Sequence, residues 1–145
     1  MKIINEIDKN ITFWMKKYGF TILRFSLAVV FIWFGLLKVL GSSSAEELVQ
    51  RTIFFFSHSW FIPILGLWEI IIGVCLLYKP LIRLGIGLML PQMIGTFLPL
   101  IFLPKVMFTG NLFLLTLEGQ YIIKNIVLLS AAIVIGSHVR DKKNN

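Results

Sequence analysis

Four apolar runs separated by short polar stretches organise the chain. They cover about residues 20–40, 62–78, 84–103 and 114–136. Each approaches the ~20 residues an α-helix needs to cross a hydrocarbon core about 30 Å thick. Ahead of them, Ile4, Ile7, Ile11, Trp14 and Tyr18 recur at helical spacing, with Lys2, Asn5, Glu6, Asp8, Lys9, Lys16 and Lys17 between them. That pattern predicts an amphipathic helix over about 1–18, suited to lying among lipid headgroups. The expected fold is an all-α membrane protein, a four-transmembrane-helix bundle with an N-terminal interfacial amphipathic helix, in one domain over 1–145.

The connectors carry their own signals. Residues 42–59 read as a loop holding a short helix over 45–50 capped by Ser44. Trp60, Phe61 and Pro63 mark a membrane interface, and Lys79–Arg83 is a tight basic turn. Pro91 and Pro99 interrupt the third run and free the carbonyls of Gly87 and Gly95, which predicts a kinked helix with Gln92 or Thr96 satisfying the freed groups. Thr109-Gly110-Asn111 is a turn, and the pattern leaves open whether residues 112–115 already belong to the last helix. Ser137–Lys143 reads as a basic tail.

Composition agrees with a bilayer as solvent: 57% of residues are hydrophobic and only 14% charged, more apolar surface than a soluble domain of this size can hide from water. The net charge of +7 does not imply nucleic acid, because the basic residues fall between apolar runs rather than in a patch. Lys2, Lys9, Lys16, Lys17, Lys79, Arg83, Arg140, Lys142 and Lys143 lie on the side of the termini, against Arg51 and Lys105 on the other. The positive-inside rule then puts both termini in the cytoplasm of a multi-pass protein with four spans. Cys75 is the only cysteine, so no intrachain disulfide or dithiol chemistry is available. His58 and His138 fall on opposite sides of the predicted membrane, which argues against a shared metal or haem.

Candidate chemistry lies in the polar residues within the runs, since ionisable groups in a membrane are expensive and rarely persist without partners or a role. Arg24, Ala28, Phe31, Gly35 and Lys38 share one helical face, and Arg24 and Lys38 are near enough to opposite interfaces to snorkel. Glu69 stands between Gly66 and Gly73 on a second face that a neighbouring helix can approach closely. The last run opens with Thr116-Leu117-Glu118-Gly119-Gln120-Tyr121-Ile122-Ile123-Lys124-Asn125, with Lys124 about 9 Å along the axis from Glu118. By depth, Lys38, Glu69 and Glu118 are expected to cluster in the outer half with Lys124 nearer the centre, and Trp33, Trp60, Trp68 and Tyr121 are candidates to line the cluster.

These residues carry a resemblance. Arg24-x-Ser26-Leu27-x-x-Val30-Phe31-x-Trp33-Phe34-Gly35-x-x-Lys38, then Glu69-x-x-x-Gly73, then Leu117-Glu118-Gly119-Gln120-Tyr121-x-x-Lys124-Asn125 resemble the DoxX-like membrane proteins. The branch most similar is the small inner-membrane proteins associated with resistance to reactive chlorine. The resemblance covers nearly the whole chain and implies a four-helix membrane bundle. Some relatives are linked to quinone-coupled sulfur oxidation or oxidative-stress complexes. It implies a role as accessory or partner subunit in a stress or quinone-linked redox pathway, acting with a membrane or soluble redox partner protein. No cofactor is intrinsic to the chain, so redox chemistry would borrow a diffusible cofactor such as a bound quinone, or a partner protein, and the buried charged pocket would take a quinone or a lipid. The ligand-binding candidates are Lys38, Glu69, Gln92, Glu118, Tyr121, Lys124 and Asn125.

Two other readings use the same residues. A small proton-coupled transporter would use Glu69 and a kinked third helix, although the chain lacks the internal repeat common in transporters. A purely structural bundle would use its charges to fix helix register. Whether the chain catalyses a reaction, and whether it forms a homo-oligomer, the sequence leaves open.

Overall fold

The computed structural model describes residues 2–43, 46–52, 60–111 and 113–141. Its elements are helical: α1 (Lys2–Val39), α2 (Glu46–Thr52), α3 (Phe61–Leu77), a 3-10 turn (Lys79–Leu81), α4 (Ile82–Phe102), α5 (Pro104–Met107), α6 (Leu117–Ile123) and α7 (Asn125–Asp141). The predicted cap Ser44, and His58, lie outside the described residues.

The expected boundary between an interfacial helix and a first span is not present, because residues 2–39 form one helix. Between Ile4 and Phe31 the only glycine is Gly19 and there is no proline. One glycine weakens a helix by about 1 kcal/mol, too little to stop a long apolar one. Residues 4–18 are all exposed, so this half of α1 extends beyond the bundle with Ile4, Ile7, Ile11, Trp14 and Tyr18 uncovered.

Three segments, Ile4–Val39, Lys79–Phe102 and Leu117–Val139, are long and apolar enough to cross a membrane. The apolar α3 is shorter, at 17 residues. The helices form an up-down-up-down ring in which α1 packs on α3, α3 on α4, α4 on α7, and α7 back on α1. Each neighbour is antiparallel to the last, as the cross-contacts require: Gly35 with Gly66 and Ala28 with Gly73, then Glu69 with Gln92 and Cys75 with Gly85. Phe20 of α1 meets His138 of α7, and Phe34 of α1 meets Tyr121 of α6.

Leu27, Ala28 and Phe31 from α1, Ile72 and Leu76 from α3, Ile82, Met89 and Met93 from α4, and Ala131, Ala132 and Ile135 from α7 fill the centre. The outside is equally apolar. Val29, Leu67, Ile94, Val127 and Ile133 are all more than half exposed. A surface of this kind is unsuited to water and suited to acyl chains.

The last run begins later than the expected residue 114. Phe108 and Leu115 form an isolated bridge around the turn at Gly110, whose φ of 76° suits glycine, so Phe113–Leu115 are not helical. Helix starts at Leu117, tightens at Lys124, and continues through residues expected to be a tail as far as Asp141. In α4 the helix assignment passes through Pro91 and Pro99. The expected rescue of the freed carbonyls is not what Gln92 and Thr96 do. The Gln92 amide reaches another helix, and the Thr96 hydroxyl donates to the Gln92 carbonyl at 2.9 Å.

Candidate functional site

The site begins with a close helix crossing. A Cβ added at Gly66 would lie 2.6 Å from the Gly35 carbonyl oxygen and 2.8 Å from the Lys38 Cβ, and one added at Gly35 would lie 2.5 Å from the Gly66 carbonyl oxygen. Only glycine permits this approach of α1 and α3. Lys38 and Glu69 each follow their glycine by three residues, which in antiparallel helices puts them on opposite sides of the crossing, and their side chains meet across it.

Lys38 Nζ donates to Glu69 Oε2 at 2.6 Å, and Gln92 Nε2 donates to Glu69 Oε1 at 2.7 Å. One carboxylate thus joins α1, α3 and α4, each of its oxygens holding one partner. Lys38, Glu69 and Gln92 are 6%, 7% and 9% exposed. Of the two placements the sequence leaves open for Lys38, inward or snorkelled to the surface, the structure has it inward. A carboxylate within hydrogen-bond reach offers the ammonium an acceptor inside the bundle, and opposite charges partly offset the loss of solvent. An ammonium has three donors, and among the described residues one is used, by Glu69.

Beside this triad stands Tyr121. Its ring meets Phe34, four residues before Lys38 on α1, edge-on at 6.0 Å between centroids, and is 39% exposed. Tyr121 owes its position to Thr116, which caps α6. The Thr116 hydroxyl accepts from Gly119 N at 3.1 Å and donates to the Val106 carbonyl at 2.7 Å, tying the helix start to α5.

The rest of the expected cluster is not assembled. Glu118 and Lys124 are exposed and Asn125 is half-buried. Among the described residues the one ion pair is Lys38–Glu69. The reason lies in the helix start: capping at Thr116 turns buried Gly119 and Ile122 inward, which directs Glu118 and Lys124 outward. Gly119 is also confined by the Met107 carbonyl oxygen and Leu115. The tryptophans do not line the triad as a group. Trp33 and Trp60 are more than half exposed, and Trp68, 40% exposed, donates its Nε1 to the Leu88 carbonyl at 3.1 Å.

One buried charge was read differently from the sequence. Arg24 is 7% exposed rather than snorkelled to the surface, and its Nε has no hydrogen-bond partner. The signal was present, since Arg24 shares the helical face of Ala28, Phe31, Gly35 and Lys38, all of which the bundle buries.

Compared with protein-family models, curated proteins and solved structures, the chain matches none.

Proposed function

We propose that this chain is a DoxX-like, four-span protein of the bacterial inner membrane with both termini cytoplasmic. In this reading it is an accessory or partner subunit of an oxidative or reactive-chlorine stress pathway linked to quinones. The exposed apolar stripe of residues 4–18 is its interfacial segment, and α3 is the shortest of its spans. The observation that carries the functional reading is the buried Lys38–Glu69–Gln92 chain, a charged cluster inside an apolar bundle and next to a tyrosine. Intramembrane ionisable groups of this kind mark functional sites by default.

The donor set fits the head of a quinone. The Lys38 ammonium has donors beyond the one it gives to Glu69, and the Tyr121 hydroxyl is a second donor; both suit a carbonyl oxygen. Phe34 and Tyr121 offer ring surface to the flat head. Redox capacity would come from the quinone when bound. Glu69 would keep Lys38 charged and oriented, and Gln92 would hold the second carboxylate oxygen.

The test is mass spectrometry and absorbance of organic extracts from the purified protein, wild type beside Glu69→Gln and Lys38→Met. A quinone present in stoichiometric amount in wild type and lost in both variants is the expected result. Wild-type protein without quinone, even after reconstitution with ubiquinone or menaquinone, defeats the reading.

A second reading rests on a specific observation. Both Glu69 oxygens already have partners, so the triad is complete as a lock on the packing of α1, α3 and α4. In that case Glu69→Gln lowers stability and changes no ligand content.

A further inference from the structure

Arg24 lies at the opposite end of the α1 stripe from Lys38, 14 residues earlier and so about 21 Å along the axis. It is 7% exposed, and its buried Nε has no partner. A guanidinium remains charged in proteins and carries five N–H donors in a planar fork. Burying its Nε without an acceptor is unfavourable, and an anionic acceptor would offset both the missing hydrogen bond and the buried charge.

The carboxylates whose side chains are described lie elsewhere. Glu69 is bonded to Lys38 and Gln92 at the other end of the stripe. Glu6 and Asp8 precede Arg24 in α1 by about 27 and 24 Å. Glu118 is one turn before Tyr121, which meets Phe34 ten residues further along α1 than Arg24.

The surroundings indicate where the anion comes from. The Arg24 Cζ is 5.3 Å from the centre of the Phe25 ring, and that ring is 46% exposed on the apolar outer surface. The guanidinium therefore sits at the rim of the bundle. It is one turn, about 6 Å, inside Phe20, at the end of the bundle where Lys79 and Arg83 are exposed. A group about one turn below a basic surface and beside a lipid-facing ring is placed for a headgroup phosphate, whose oxygens match the guanidinium fork.

We propose that Arg24 is the centre of a phosphate site that receives the headgroup of an anionic phospholipid from the leaflet on the side of the termini, with an acyl chain lying along Phe25. This site is distinct from the Lys38–Glu69–Gln92 triad and does not depend on the reading given to it.

The test uses the full-length protein in detergent, titrated with dioleoylphosphatidylglycerol, with dioleoylglycerol (the same chains without phosphate) and with inorganic phosphate. Native mass spectrometry and thermal shift are the readouts. Wild type is expected to retain phosphatidylglycerol and be stabilised by it, and to respond to neither control. Because hydrogen bonds to charged groups are at stake, Arg24→Gln should weaken the lipid about tenfold or more. Should Arg24→Gln not purify as a monodisperse species, Arg24→Met, which leaves no buried polar group, serves for the same comparison. Equal lipid affinity in wild type and variant overturns the proposal, as does equal stabilisation by dioleoylglycerol. Stabilisation by inorganic phosphate that matches the lipid's and is lost in the variant keeps the phosphate site but overturns the phospholipid as its source.

Discussion

Lys38 Nζ and Glu69 Oε2 lie 2.6 Å apart, their side chains meeting across the crossing at which Gly35 and Gly66 bring α1 and α3 together. The pair is thus linked to a backbone approach that two glycines allow. Removing Lys38 alone strands a buried carboxylate. Lys38→Met should destabilise the protein by up to about 3–5 kcal/mol, and Lys38→Met with Glu69→Leu should recover most of that loss. A double-mutant cycle of unfolding in one detergent checks this, and strictly additive losses would dismiss the pair as a stabilising unit.

Gly66→Ala places a methyl group against the Gly35 carbonyl and the Lys38 side chain. It should lower stability by about 1–3 kcal/mol, the usual cost of overpacking. Gly87→Ala is the control, because nothing lies within 4 Å of its added Cβ, and it should be neutral or gain up to about 1 kcal/mol. Thermal melts of the two variants side by side separate a packing requirement from helix propensity.

Thr116→Ala removes the acceptor for Gly119 N and the donor to the Val106 carbonyl. A loss of about 1 kcal/mol is expected, with Thr116→Ser retaining most of the wild-type stability. Hydrogen exchange at the Gly119 amide should accelerate in the alanine variant and stay near wild type in the serine one.

Glu118→Gln and Lys124→Gln alter exposed side chains and should each change stability by no more than about 0.5 kcal/mol. They should also leave any ligand extracted with wild type in place, whereas Glu69→Gln should not. A large loss at either position would show that another molecule covers this face of α6.

Cys75 is buried at 4% exposure, so the folded protein should react with a maleimide only after denaturation. In a Cys75→Ala background, a cysteine at Asn111 should be labelled from one side of intact membranes and a cysteine at Lys16 from the other. Labelling of both from one side would refute the four-span topology.

Much of this arrangement is legible in local sequence, because helical periodicity and transfer free energy act over a few residues. The apolar runs marked the helices, and spacings of three and four put Lys38 with Gly35 and Glu69 with Gly66 on single faces. The close approach at these glycines was readable for the same reason. What local pattern does not contain is the register between helices far apart in sequence. Glu69 is flanked by apolar residues and Glu118 by Thr116, Gln120, Lys124 and Asn125, but which face of each helix the bundle buries is written in neither neighbourhood. Tertiary structure decides it. The antiparallel packing of α1, α3 and α4 brings Lys38 and Gln92 onto Glu69, while the cap at Thr116 sets the rotation of α6 and turns Glu118 and Lys124 outward. Arg24 follows the same logic: its face was evident from spacing, but its burial without a partner depends on which side chains the neighbouring helices bring to it.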